Sequence, residues 1–320
     1  MDISILICTY NRAEELRRTL CGMCNLIVPN GLRWELLAVD NNSTDHTRTV
    51  ILSFEGSLPI RYTAEHAQGR SNALNRGIEE CSAPMILMTD DDVDVTPAWL
   101  ASYYDAARRY PEGAFFGGKI LTRWESTPPP WILENVDWLS SITRCDHGET
   151  PVILSDTKRP FVGANMAIRK SVFDSGYRFR PDLGVRGDNR STSARHGGED
   201  GEFQARIIKG GLKGVYVPDS VVYHRERSYR FTRRYTRWYF REQGRDARRR
   251  EGVQGLHPLW FGIPRYLWRL YFAALFRYAI TRPVSSSRLW LRSECELARI
   301  VGDMMECRAL TSVSDRPIES

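Results

Sequence analysis

The sequence predicts an α/β fold in which a mostly parallel sheet carries helices on both faces and a helical extension follows it. Two observations lead there. Short apolar runs alternate with amphipathic segments as far as about residue 110, the pattern of strands joined by crossover helices. From Ser228 onward that alternation stops and gives way to long segments rich in arginine and aromatic residues. At 320 residues, 42% hydrophobic and 26% charged, the chain is long enough for one large α/β domain or two smaller ones.

The elements follow in order. "ISILICT" reads as a strand, "AEELRRTLCGMC" as a helix, "WELLAVD" as a strand, and "DHTRTVILSF" as a helix opened by the turn residues "NNST". "PIRYTAE" is the next strand, "GRSNALNRGIEEC" a helix, and "PMILMTD" a strand. "TPAWLASYYDAARRY" is a helix with Thr96 expected as N-cap and Pro97 at the first position. No apolar run approaches the roughly 18 to 20 residues of a membrane span. "MDISILICTYN" lacks the basic start and cleavage site of a secretory signal, so a cytoplasmic location is expected. Seven dispersed cysteines agree with that, and Cys21 with Cys24 has no second pair to complete a zinc site.

In such sheets ligands bind beyond the carboxyl ends of the strands. Three polar groups fall there: "CTYNR", "DNNSTD" and "DDDVD", the last holding Asp90, Asp91, Asp92 and Asp94. Turn chemistry accounts for one or two aspartates in a loop but not for four. Crowded carboxylates resist ionisation unless a cation offsets them, and oxygen ligands suit Mg²⁺ or Mn²⁺ with phosphate oxygens as further ligands. The sequence has no "GxxxxGK" phosphate loop, so a metal-bridged diphosphate is the expected substitute.

Seven stretches in order over residues 3 to 225, "SILICTYNR", "LLAVDNNSTD", "GRSNALNRGI", "LMTDDDV", "GANMAIRKSVFDSGYRF", "GGEDGEFQARIIKGG" and "VYVPDSVVYHR", resemble the family-2 glycosyltransferases. The resemblance implies the A-type glycosyltransferase fold over residues 1–225 and an inverting transfer from a nucleotide-diphosphate sugar, UDP-type favoured, to a hydroxyl acceptor. It implies uridine contacts at Thr9 and Asp40 and a DxD-type motif at Asp90 to Asp92. One carboxylate of that motif would meet the ribose and another would hold Mn²⁺ or Mg²⁺, Asp92 ahead of Asp91. Gly163, Ala164 and Asn165 would floor the donor-sugar pocket. Asp200 would be the general base, with Glu199 beside it; both are also acids of the kind favoured in a first helical turn. Many relatives carry Arg where this chain has Leu74, and Arg70 either supplies that cation or is a solvated helix-start arginine. His224 is either a further metal or phosphate contact or a structural histidine.

"TRWESTPPPWILENVDWL", residues 122–139, is either an acceptor-side loop or a packed connection, and the Gly, Ser and Arg-rich residues 183–198 suit a lid. Residues 226–320 form the expected basic, aromatic-rich extension, with "PLWFGIPRYLWRLYFAALFRYAI" read as one helix. Residues 226–280 would either lie on an anionic membrane surface, placing the protein peripherally at the inner face, or form a helical cap or dimer contact. The acceptor expected is a glycan, a lipid-linked sugar or a small molecule. Two rivals remain: a nucleotidyl- or phosphoryl-transferase acting on nucleotide sugars, disfavoured by the missing phosphate loop, and a nucleic-acid-binding protein, disfavoured by the acidic cleft.

Overall fold

The computed structural model describes residues 1–156, 160–185, 197–253, 258–284 and 287–314. The chain divides into two compact units. The first comprises Met1–Trp124, Thr143–Ala194 and Glu199–Glu226, and the second is built mainly from Glu125–Ile142 and Arg227–Ser320.

The first unit opens with the expected alternation: β1 (Ile3–Thr9), α1 (Ala13–Met23), β2 (Trp34–Asp40), α2 (Thr47–Leu52), β3 (Ile60–Ala64), α3 (Arg70–Glu80) and β4 (Met85–Thr89). It continues through β5 (Val93–Val95), α4 (Trp99–Arg109) and β6 (Gly113–Trp124). The second unit's α5 (Pro130–Leu133) intervenes before β7 (Val152–Leu154), β8 (Asn165–Arg169), α6 (Lys170–Asp174), α7 (Glu199–Lys209) and β9 (Lys213–Glu226).

These strands form one sheet in the order β3-β2-β1-β4-β8-β6-β9-β5, with β7 also on β9. The β3-β2-β1-β4 half is parallel throughout. The polarity then inverts at β8, antiparallel to both β4 and β6, whereas β6 and β9 run parallel. Both faces of the sheet are buried. Ile5, Ile7, Leu36 and Leu87 pack on one side, and Leu6, Leu37, Ile86 and Met88 on the other. That period-2 division with both sets apolar is what helices on both faces require.

Two local expectations are corrected. Thr96 does not cap α4: that helix starts at Trp99 without a side-chain cap, and the Thr96 hydroxyl instead donates to the Val221 carbonyl at 3.0 Å. The segment read as one helix from Pro258 is a hairpin followed by a helix. Its strands β10 (Leu259–Trp260) and β11 (Ile263–Pro264) precede α9 (Arg265–Val284).

The second unit also holds a 3₁₀ turn (Ser228–Phe231), α8 (Arg233–Glu251) and α10 (Ser287–Ser314). Its basic helix α8 is ion-paired within the unit. Arg233 and Arg237 meet Glu294, Arg245 and Arg249 meet Glu306, and Arg248 meets Asp303, all at 2.6–3.1 Å. Part of the charge that suggested an anionic ligand, five of the eight α8 arginines, is therefore engaged by three carboxylates of α10. Glycines bring the two helices together: a Cβ at Gly244 would run into the Arg299 carbonyl, and one at Gly302 into the Arg241 carbonyl. The Pro-rich segment is a packed connection here, with Ile132 and Leu139 buried and Trp138 donating to Asn135 at 2.9 Å. No helix among the described residues is long and apolar enough to cross a membrane.

Candidate active site

The carboxyl ends of β1, β2 and β4 lie side by side because their registers pair Thr9 with Asp40 and Ile7 with Thr89. Side chains bind the following loops to one another. Asn11, which adopts a left-handed φ of 50°, accepts from the Thr44 N–H at 2.7 Å and donates its own N–H to Ser43. Asn41 accepts from the Gly69 N–H at 2.7 Å and donates to the Glu65 and Ala67 carbonyls. These bonds tie the loops after β1 and β2 to each other and to the start of α3.

Of the four aspartates, three converge and one does not. Asp94 is turned to Arg225 and Arg123, 2.5 and 2.7 Å away, and serves the sheet. Asp91 is buried and accepts from the Thr9 hydroxyl at 2.8 Å, and Arg12 places Nη1 2.8 Å from Asp91 and 3.0 Å from Asp92. Burial raises the Asp91 carboxyl above its ordinary range, with Arg12 opposing the shift. Asp90, Asp92 and His224 each offer one atom within 4.8 Å of the other two, and this is the metal-ligating group the described residues assemble. Asp91, expected as the second choice for metal, belongs to the Thr9–Arg12 side instead.

His224 arrives from a distant part of the chain because β5 and β9 pair Val93 with His224. Its Nε2 stands 3.3 Å from Asp92 Oδ1, and its Nδ1 stands 3.2 Å from Glu226 Oε1. Glu226 is fully buried and also accepts the Thr143 N–H at 2.8 Å. A carboxylate behind a histidine fixes its tautomer and leaves the other nitrogen for an ion. Two carboxylates suit Mg²⁺ or Mn²⁺, and the imidazole tilts the set toward the softer Mn²⁺. The donor set therefore fits the expected cation.

The stretch 163–165 reaches the same place through the antiparallel pairing of β4 with β8, which sets Thr89 opposite Asn165. Thr89 donates to the Ala164 carbonyl at 2.7 Å. Asn165 supports this floor from beneath. Its amide donates to Lys119 and Ser220 carbonyls and accepts from Trp99 and Tyr103, so its hydrogen-bonding capacity is spent inside the protein. Gly163 donates its N–H to Asp200 Oδ2 at 2.8 Å, and any Cβ there would lie within 2.7 Å of both carboxylate oxygens. Gln204 holds this arrangement by bonding both the N–H and the carbonyl of Phe161 and the Asp200 carbonyl.

Asp200 is half-buried on α7, and its Oδ1, shielded from solvent, has no hydrogen-bond partner among the described residues. Burial raises its proton affinity, and burial with the neighbouring Asp200 charge raises Glu199 to about 7. Arg70 is not a solvated arginine: it bridges Asp90 at 2.6 Å and Glu199 at 3.1 Å, joining the two acidic groups. At the end of β2, Asp40 is buried and accepts the Ser43 N–H at 2.9 Å. Residues 186–196, most of the expected lid, lie outside the described residues.

Sequence reasoning missed Arg12, Glu226 and Gln204. Arg12 was legible as the cation ending "CTYNR" at a strand's carboxyl end. The other two carried no local signal, since their partners lie 83 and 43 residues away in the chain.

The model for glycosyl transferase family 2 matches residues 4–176 of the chain. A glucosyl-dolichyl phosphate glucuronosyltransferase of Haloferax volcanii is 22% identical over 191 residues, which are 59% of this chain and 59% of that relative's own length. A mannosyltransferase from Pyrobaculum calidifontis, solved with GDP-Man and Mn²⁺, has a TM-score of 0.60 at 16% identity over 94% of this chain and 86% of its own. The TarS protein of S. aureus, solved with UDP-GlcNAc, has a TM-score of 0.53 at 13% identity over 98% of this chain and 91% of its own. At these identities the two structures share the fold.

Proposed function

The chain belongs to glycosyl transferase family 2, and from that premise we propose that it transfers a sugar from a nucleoside-diphosphate donor to a hydroxyl acceptor, with inversion at the anomeric carbon. The observation that carries this reading is Asp200: a half-buried carboxylate with one oxygen held by the Gly163 N–H and the other without a partner among the described residues.

Each residue then has a task. Asp92, Asp90 and His224 would hold the divalent ion, which when bound supplies charge stabilisation to the departing diphosphate. Arg12 sets positive charge against Asp91 and Asp92, and Arg70 joins Asp90 to Glu199. Asp200 Oδ1 takes the acceptor hydroxyl proton as that oxygen attacks the anomeric carbon, and burial makes it a stronger base than an ordinary aspartate. One direct displacement leaves no sugar on the enzyme, so configuration inverts.

The donor we favour is UDP-linked, with Asp40 at the end of β2 accepting the uracil N–H. One structural neighbour carries UDP-GlcNAc and another GDP-Man with Mn²⁺, both of the sugar-nucleotide class. We assign the chemistry to residues 1–225, with Glu226 behind His224, and treat the remainder of residues 226–320 as an accessory extension. The acceptor is a hydroxyl on a glycan, a lipid-linked sugar or a small molecule.

The test is Asp200→Asn. Transfer from a panel of UDP-sugars should fall by about 10²–10⁴-fold, while UDP with Mn²⁺ should still raise the thermal midpoint as in the wild type. Near wild-type turnover would remove Asp200 from the chemistry, and no midpoint shift with UDP, GDP, dTDP or CDP in the wild type would remove the nucleotide.

A further inference from the structure

Helix α9 exposes more apolar surface than packing within its own unit consumes. Leu267 and Ala274 face inward with Ile300, Met304 and Cys307 of α10. On the outer side, Phe272 is 59% exposed, Phe276 67%, and Leu270 and Ile280 each 48%. The hairpin before it adds Trp260 and the tip residue Phe261, the latter 85% exposed and held at a left-handed φ of 55°. Single exposed apolar side chains need no explanation, but a contiguous aromatic face marks an interaction surface.

The charge on this face selects the partner. Arg265, Arg269, Phe272, Phe276 and Ile280 follow spacings of four, three, four and four, which place them in one stripe. Two guanidiniums therefore lead directly into an apolar strip. α9 carries Arg265, Arg269, Arg277 and Arg282 and no Asp or Glu. Arg277 is paired with Glu296, and Arg265 lies over the Trp260 ring at 4.5 Å.

A symmetric dimer through this face would set an acid-free, arginine-bearing helix against its own copy, bringing like charges together. An anionic bilayer offers the complement: phosphates for the arginines, headgroup depth for Trp260 and Tyr266, and the acyl boundary for Phe261, Phe272, Phe276 and Ile280. On α8, by contrast, Arg233, Arg237, Arg245, Arg248 and Arg249 are turned to acids of α10.

We propose that the outer face of α9 and the Trp260–Phe261 tip seat the protein on an anionic lipid bilayer. The inference stands on exposure and charge, independently of the assigned reaction.

The test is co-sedimentation of the full chain with vesicles of phosphatidylcholine alone or mixed with phosphatidylglycerol. Binding should need phosphatidylglycerol and weaken with salt. Phe272→Ser with Phe276→Ser, and separately Arg265→Gln with Arg269→Gln, should each lower the partition coefficient by about tenfold or more, with thermal midpoints unchanged because these positions are exposed. No sedimentation with anionic vesicles at low salt, or binding unaltered in the phenylalanine pair, overturns the proposal. So does a dimer by light scattering that the phenylalanine pair converts to monomer, an outcome that would assign the face to a second copy.

Discussion

His224 and Asp92 stand 3.3 Å apart, Nε2 to Oδ1, although 132 residues separate them in the chain, because the short antiparallel β5–β9 pairing carries the imidazole to the acidic loop. Glu226, two residues on and on the same face of β9, stands 3.2 Å from the other ring nitrogen. Glu226→Gln should weaken Mn²⁺ binding by about 10–100-fold through loss of ring orientation, and His224→Ala should weaken it further. Isothermal titration with Mn²⁺ in the presence of UDP measures both. Affinity unaltered in either variant would make the histidine structural.

Arg12 contributes the positive charge that Asp91 and Asp92 face at 2.8 and 3.0 Å. Removing one partner of a largely buried ion pair leaves the other charge uncompensated. Arg12→Gln should therefore cost about 3–5 kcal/mol of stability in chelator, and Mn²⁺ should recover part of that loss by supplying positive charge to the same carboxylates. Denaturant unfolding with and without Mn²⁺ checks this; equal losses in both conditions would separate Arg12 from the metal group.

The parallel half of the sheet was legible because its strands are continuous apolar runs punctuated by amphipathic helices, a purely local signal. The inversion at β8 was not, since "NMAIR" has no feature that specifies antiparallel pairing to Met85–Thr89. Asp90, Asp92 and Asp200 were visible as clustered acids, but nothing in "DDDVD" tells that Asp94 answers to Arg225, 131 residues away. The arginines of α8 misled for the same reason. The partners of five of them, Glu294, Asp303 and Glu306, lie 55–61 residues downstream in a helix that no local motif singles out.

Gly163 tests positioning apart from chemistry. A methyl group there would press on both oxygens of Asp200 while leaving the acidic loop untouched. Gly163→Ala should lower kcat by about 10²-fold, the scale expected for a displacement near 1 Å, with the UDP-dependent thermal shift retained. Steady-state kinetics alongside thermal shift would show it, and unchanged kcat would mean that the Asp200 carboxylate adapts.

Glu199 predicts a pH signature in stability. Its folded proton affinity is raised from 4.5 to about 7 by burial and by Asp200, so the folded protein binds more protons than the unfolded chain between those values. The contribution is complete below about 4.5 and is lost as pH rises through about 7. Relative to Glu199→Gln, wild-type stability should fall between about pH 5 and 8. Parallel denaturation curves across that range would disprove the shift.

The second unit rests on a contact that inverts an ordinary rule. Within an exposed helix, glycine to alanine gains roughly 1 kcal/mol through backbone entropy. Gly22, on α1, has no atom within 4 Å of where a Cβ would stand, so Gly22→Ala should follow that rule and raise the melting temperature. Gly302 on α10 faces the Arg241 backbone so closely that a methyl group must push α8 away, taking with it the pairs that Arg245, Arg248 and Arg249 make with Glu306 and Asp303. Gly302→Ala should instead cost about 2–3 kcal/mol, the scale of overpacking in a tight interface. Opposed signs of the two alanine variants in one melting experiment would show that α8 and α10 meet in backbone contact at Gly302, where an added methyl has no room, whereas Gly22 faces open space.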